Sequence, residues 1–454
     1  MAGKELDGSR LISFIENPSK GLWSLAVPII AGMGIQTLYT IVDMIFIGRL
    51  GGLSIAAVAF NMPIFFLVLG LSFGLGSGVT ASIARFIGSK NKVSADNAAE
   101  HAIAMAFIIS ITLTSLGLIY GQSLLVQVGC TDEVLPLAWS YLKISCYGLS
   151  FMVFSMFFRS ILAGEGDMKL PMIIAGLGTV LNIILDPIFI FLLGFGVSGA
   201  AMASVISQII VFIIFVYMLF IKEHAYIRFR MRDFSPSKFI ILDIIKVGIP
   251  SSMSMIIMAF GQLVFNWILV YFSTDSVAAY QVGGRVEMLI FLPIMGIASA
   301  LTTMVGMFYG AKEIEKIKFI VKYGISWSIS ITVICAAVLF VFAPQVTRAF
   351  TNNVEIQNLA VSYLRYMCFI FPLISIGLTI GRILQGMGLG MPSLIITAFR
   401  VLIVATPLAL YFTMVLDKPI EWIWIAMVIS SVVATIISII WMKVAFRKLL
   451  VAIK

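Results

Sequence analysis

Three acidic side chains stand well inside long apolar stretches of this 454-residue chain: Asp43, Asp186 and Glu287. A charge at the centre of a bilayer costs roughly 2.5–3.5 kcal/mol even on the modest scales, so each is a functional candidate. Gln36, Tyr39 and Asp43 are spaced i, i+3, i+7 and share one helix face. Asn182 and Asp186, at i, i+4, share a face of another. Two carboxylates with amide and hydroxyl oxygens form a hard ligand set that suits H⁺ or Na⁺ and poorly suits soft metals. If the two carboxylates are close, repulsion and desolvation favour one of them holding a proton at neutral pH. The bland alternative is a static polar cluster that ties helices together.

Other groups carry weaker signals. Arg285 and Glu287 lie near the outer end of one apolar stretch on different helix faces, so each needs a partner elsewhere. They form either a second coupling site or polar contacts of a C-terminal cavity. Arg400 has no partner visible in sequence. Pro28 and Pro187 each remove a backbone donor, which kinks a helix and frees carbonyls. Gly70, Gly74 and Gly78 make a small-residue face that reads as helix packing. Four cysteines without C-x-x-C spacing and only two histidines argue against a zinc or disulfide framework. No Walker loop is present, and Gly164-Glu-Gly166 follows no strand, so no nucleotide chemistry, catalytic constellation or cofactor is expected.

The elements that must position these residues follow from composition. The chain is 61% hydrophobic and 11% charged, whereas soluble domains are about 45–50% apolar and about 25% charged. Twelve apolar runs are read as spans, at roughly 19–46, 54–83, 97–120, 136–162, 170–193, 198–221, 239–272, 277–308, 318–341, 356–384, 392–415 and 420–445. Backbone polar groups in lipid must bond within their own segment, so these runs are helices; strands of a barrel would alternate instead. The N-terminus, the even-numbered connections with their adjoining helix ends and the C-tail carry 23 of the 30 basic residues. That bias predicts both termini in the cytoplasm. It also explains the net charge of +9 without nucleic acid. The charged first twenty residues, with Lys4, Glu5 and Asp7, predict no cleavable leader. The expectation is therefore a multi-pass protein of the inner (cytoplasmic) plasma membrane.

The halves repeat. Shifted by 222 residues, Pro28 falls on Pro250, Gly74 on Gly296, Gly88-Ser-Lys90 on Gly310-Ala-Lys312, and Gly164 on Gly386. Six spans per half make this a parallel repeat about an axis along the membrane normal, with substrate near the repeat interface and access alternating as the halves rock. The expected organisation is an N-lobe over 1–221, an inter-lobe linker over 222–238 and a C-lobe over 239–454. Asp43 maps onto Phe265 and Asp186 near Leu408, so the ion site is expected in the N-lobe only.

The chain resembles the multidrug and toxic compound extrusion (MATE) transporters over essentially its full length. Val42-Asp-Met-Ile-Phe-Ile-Gly-Arg-Leu-Gly51, Arg159-Ser-Ile-Leu-Ala-Gly-Glu-Gly-Asp-Met-Lys169, Leu181-Asn-Ile-Ile-Leu-Asp-Pro187 and Gly196-Val-Ser-Gly-Ala-Ala-Met-Ala203 carry the likeness. The Tyr39/Asp43 and Asn182/Asp186 pairs look most like its DinF-like and archaeal branch. The resemblance implies an all-α membrane protein of two six-helix bundles, an antiporter exporting cationic or aromatic drugs in exchange for H⁺ or Na⁺. It implies an ion site at Asp43, Asn182, Asp186 and Ser204, where relatives commonly have threonine, with Tyr39 and Tyr141 beside it. It further implies that Gln36, Gln208 and Thr179 face the drug cavity and that Pro28 bends the first span. A monomer is the expected state, with the oligomeric state left open by the sequence. The alternatives are a lipid-linked precursor flippase, which predicts paired cavity arginines with Arg285, Arg365 and Arg400 as candidates, and a channel or sensor.

Overall fold

The structure, a computed structural model, describes the backbone of residues 6–229 and 234–453. Lys4, Glu5, Arg230, Arg232 and Lys454, used above in the charge reading, lie outside the described residues, as does the side chain of Asp7. Among the described residues the secondary structure is helical, with twelve helices long and apolar enough to cross a membrane.

A short helix, α1 (Leu6–Glu16), precedes the spans. The first half continues with α2 (Pro18–Gly48), α3 (Gly52–Gly88), α4 (Lys92–Gln127), α5 (Leu135–Gly164), α6 (Lys169–Pro187) and α7 (Gly196–Val216). Wider π-helical turns, Ile188–Leu192 and Tyr217–Ile221, extend α6 and α7. The second half holds α8 (Lys238–Val270), α9 (Thr274–Gly310), α10 (Ile314–Arg348) and α11 (Val354–Gly386). One broken span follows, made of α12 (Met391–Ala398), a π-helical stretch Phe399–Ala405, α13 (Thr406–Leu410) and a last π-helical turn Tyr411–Val415. The chain ends on α14 (Glu421–Ile453).

The helices outrun the apolar runs because polar first turns are capped rather than avoided. Asn91 accepts from the Ser94 N–H at 3.0 Å, starting α4 five residues before its apolar run. Asn353 does the same for Glu355 N–H at 2.9 Å. Outward-facing Phe107, Ile108, Val341 and Phe369 are exposed, as a lipid-facing surface requires.

The buried apolar residues show how the halves meet. One large core joins both halves at the end of the molecule that carries the termini: Leu22, Leu25, Ile83 and Ile87 pack in one cluster with Ile244, Met304, Met307 and Phe308. At the opposite end the cores separate. Phe265, Ile290 and Trp424 belong to the second half alone, and Ile47, Val58 and Tyr141 to the first. The bundle is thus closed at the terminus-bearing end and splayed at the other.

The seam follows the repeat. A Cβ on Gly88 would land on the Met307 backbone, and one on Gly310 on the Arg85 backbone. A Cβ on Gly74 would land on Ser252, and one on Gly296 on Ile30. Each pair becomes the other under the shift that carries Pro28 to Pro250. The expected small-residue face of α3 is therefore a helix-packing face, and what it packs against is the other half.

At the closed end, α1 docks under the seam. Arg10 donates to Asp167 Oδ2 at 3.0 Å and lies 3.8 Å from Glu165. The Ile227 N–H donates to Glu165 Oε2 at 3.3 Å, and His224 Nε2 is 3.1 Å from Asp167 Oδ2. Burial pushes the Glu165 carboxyl up to about 8, against the pull of Arg10. Burial acts the same way on Asp167, but Arg10, the Leu170 N–H and His224 outweigh it and hold that carboxyl below its usual value.

Candidate functional site

The N-lobe cluster forms where α2, α5, α6 and α7 converge. Tyr39 and Asp43 come from successive turns of α2, and Thr179, Asn182 and Asp186 from one face of α6. Ser204 of α7 and Tyr141 of α5 complete it. Asp186 is fully buried, and Asp43, Asn182, Thr179 and Tyr141 are buried as well. Tyr39 Oη and Ser204 Oγ are 3.0 Å apart. Asn182 Nδ2 donates to Asp186 Oδ1 and to Ser204 Oγ, both at 3.3 Å. With the amide turned over, it donates to Asp186 Oδ2 at 3.0 Å and accepts from the Ser204 N–H at 3.2 Å. Either way one amide ties α6 to α7. Asp186 lies within electrostatic range of Asp43, and Tyr39 and Tyr141 feel both carboxylates.

One atom of the cluster is unsatisfied. Asp43 Oδ1 is buried with no hydrogen-bond partner. A buried carboxylate oxygen without a donor is costly, and a proton or a hard cation placed there removes the cost. Among the described residues no lysine or arginine bonds to either carboxylate.

The C-lobe carries a different polar group. Tyr363 Oη donates to Glu287 Oε1, and Glu287 lies within electrostatic range of Arg400 on the π-helical stretch of the eleventh span. The Tyr363 ring meets Tyr280 at 5.4 Å and Trp424 at 4.7 Å between centroids. Glu287 and Arg400 border a cavity of about 410 Å³. Arg285 is exposed and does not line that cavity, so the Arg285/Glu287 grouping expected from sequence divides: Arg400, not Arg285, is the cation beside Glu287. The repeat explains the site. Glu287 and Tyr363 are the counterparts of Phe65 and Tyr141, whose rings meet edge-on at 6.2 Å in the first half. One contact carries apolar chemistry in one lobe and a carboxylate in the other.

Between the lobes lies a central cavity of about 280 Å³. Gln36 lines it. Gln208 and Thr179 do not: Gln208 Oε1 sits against Gly148 of α5, and Thr179 is buried within the N-lobe, one turn before Asn182. The cavity walls hold two arginines that the sequence reading left at helix ends, Arg159 of α5 and Arg382 of α11. No carboxylate is among the described residues lining it. The signal that could have found them was position: both precede the end of their helix by more than one turn-length of backbone, at Gly164 and Gly386.

Comparison with known proteins settles the lineage. The MatE family model matches the chain twice, over residues 28–188 and again over 250–411. This chain belongs to the MatE family. The two matches start 222 residues apart, the spacing of the repeat. Among curated MatE relatives, the probable multidrug resistance protein NorM of Thermotoga maritima is 28% identical over 418 residues, 90% of this chain and 89% of that protein. The FAD transporter of Shewanella oneidensis is 24% identical over 383 residues, 83% of this chain and 84% of that protein. A solved outward-facing multidrug resistance MATE family transporter of the MOP superfamily is 36% identical, covers 95% of this chain and 96% of its own, and superposes with a TM-score of 0.91. The MatE assignment fits the twelve spans and the paired bundles described above.

Proposed function

We propose that this protein is a secondary active exporter of small organic molecules, driven by inward movement of H⁺ or Na⁺ through the N-lobe cluster. The observation that carries this reading is the buried, undonated Asp43 Oδ1 beside the fully buried Asp186. Two carboxylates in one low-dielectric site repel, and a bound cation relieves both the repulsion and the missing donor. Asn182, Ser204 and Tyr39 supply the further oxygens of a hard ligand set. The multidrug-resistance relatives support the direction and breadth of transport.

The excess of basic residues in the connections at the terminus-bearing end supports a cytoplasmic location for that end, with the closed seam facing inward and the splayed end outward. In this state an external ion reaches the cluster. Neutralising it changes what α2 packs against, and Pro28, which leaves the Ser24 carbonyl without its helical donor, gives α2 a place to bend. Substrate leaves outside, the lobes rock, and the ion is released to the cytoplasm. A membrane potential of 100 mV adds about 2.3 kcal/mol per charge moved inward.

The test is substrate flux in proteoliposomes under an imposed pH gradient and then a Na⁺ gradient, with Asp43→Asn and Asp186→Asn beside the wild type. Flux driven by one gradient and abolished in both variants is the expected result. Wild-type rates in both variants would sink the N-lobe mechanism. Conductance without substrate exchange would make the chain a channel.

A further inference from the structure

We propose that the central cavity receives amphiphilic organic anions, a carboxylate, sulfonate or phosphate head on an aromatic or apolar body, with Arg159 and Arg382 holding the head. As the substrate class of the exporter proposed above, this rests on that reading for transport; binding stands on the cavity alone.

The charge of the cavity is the first observation. Its described lining contains two arginines and no carboxylate. The carboxylates that would attract a cation, Asp43 and Asp186, are turned into the N-lobe cluster and are not part of the lining. The resemblance implies cationic cargo, but no carboxylate that would draw a cation is among the described residues lining this cavity.

The second observation is that neither arginine is paired with an acid. Two other arginines show the contrast: Arg85 reaches Asp243 at 2.6 Å, and Arg10 reaches Asp167 at 3.0 Å. Arg159 makes no hydrogen bond or ion pair among the described residues. Arg382 donates only to neutral Gln385 Oε1, at 3.2 Å, and lies over the Phe73 ring. A guanidinium that lines a cavity without an acid partner keeps its donors free for a ligand, and its fork geometry matches the two oxygens of a carboxylate, sulfonate or phosphate. The structure thus holds two such forks in a cavity between two moving lobes, one from each lobe.

The body of the ligand follows from the remaining walls. Met33, Met156, Met288 and Met295 line the cavity with Phe73. Thioethers adapt to varied flat surfaces, and the Phe73 face offers stacking. Phe73, Met288, Met295 and Arg382 also border the C-lobe cavity, so the two spaces adjoin. Their sizes, about 280 and about 410 Å³, suit a drug-sized molecule.

Two dyes on one xanthene scaffold test the charge preference: fluorescein, an anion at mildly alkaline pH, and rhodamine 123, a cation. Binding to the purified full-length protein is read by fluorescence anisotropy in detergent. Fluorescein is expected to bind at least about tenfold tighter than rhodamine 123, and Arg159→Gln and Arg382→Gln are each expected to weaken fluorescein about tenfold while leaving rhodamine 123 within about twofold. Arg382→Lys, which keeps the charge and loses the fork, should fall between. Displacement of fluorescein by an anionic lipid, micellar phosphatidate, would identify the bilayer as the source of the anion; no displacement would identify the aqueous phase. Tighter binding of rhodamine 123, or unchanged fluorescein binding in both glutamine variants, overturns the assignment. The wild-type dye comparison and the lysine variant decide the matter even if a glutamine variant does not fold. Ion-driven flux of rhodamine 123 but not fluorescein would overturn the anion while leaving the exporter reading intact. Absence of ion-driven flux for either dye would instead strike the exporter reading and leave the binding result standing.

Discussion

Tyr39 of α2 and Ser204 of α7 meet at 3.0 Å through their hydroxyls, and Asn182 of α6 donates to the same Ser204 oxygen at 3.3 Å. One hydroxyl therefore links α7 to α2 and α6, the two helices that carry Asp43 and Asp186, and its loss should be felt as ion affinity before it is felt as folding.

Ser204→Ala removes that hydroxyl and is expected to weaken the coupling ion by roughly three- to tenfold, the range for one hydrogen bond. Ser204→Thr keeps the oxygen and should stay near wild type. The half-saturating H⁺ or Na⁺ concentration for dye flux is the measurement. Equal shifts in both variants would mean that the hydroxyl is not a ligand.

Glu287 and Arg400 should behave as a unit. Glu287→Gln leaves the Arg400 charge without the carboxylate in its electrostatic range and is expected to lower the melting temperature. Pairing it with Arg400→Gln should recover most of that loss, a coupling visible in a double-mutant cycle of thermal stability. If Glu287→Gln alone stops ion-driven flux while Asp43→Asn does not, the coupling site is in the C-lobe.

The seam predicts a change of state. Gly88→Val puts side-chain atoms onto the Met307 backbone, and overpacking of this kind costs about 1–3 kcal/mol. The closed, terminus-bearing end should open and the splayed end draw together. Distances between spin labels placed at the two ends should shift in opposite directions relative to wild type. Unchanged distances with normal expression would show that the seam does not hold the state.

The loop under α1 predicts a pH dependence. Glu165 has its carboxyl raised to about 8 in the folded protein, so the folded state holds the proton more tightly than the unfolded chain. Its contribution is full at pH below the ordinary carboxylate range, falls by about 1.4 kcal/mol per pH unit between that range and about 8, and is gone above about 8. Asp167, held below its usual value, has the opposite sign: its contribution is present above the ordinary carboxylate range and is lost in acid. Melting temperature measured from pH 5 to 9 should fall for wild type up to about pH 8 and then level off, and stay nearly level throughout for Glu165→Gln.

Much of this fold was legible because lipid leaves a chain few options. An apolar run with internally bonded backbone must be a helix, and twelve runs became twelve spans. The N-lobe residues were legible as spacing on single helices, but their convergence was not, since no periodicity says which face of α6 meets which face of α2. Helix α1 was missed because eleven residues with Arg10 and Glu16 are too short and polar to read as a span. Arg159 and Arg382 were misplaced for a related reason. Charge near the edge of an apolar run reads as interface, yet α5 and α11 continue past them, and the rotation of each helix turns its arginine into the space between the lobes.

The reciprocal contacts of Gly88 with Met307 and Gly310 with Arg85 have an ancestral meaning. A surface in which residue i meets j and the counterpart of j meets the counterpart of i is the interface of a two-fold homodimer. Each half of this chain still presents that self-complementary patch, as two separate six-helix subunits would before their genes were joined. Within that shared scaffold the halves differ in chemistry: Asp43 stands at the position that is Phe265 in the second half, and Phe65 at the position that is Glu287.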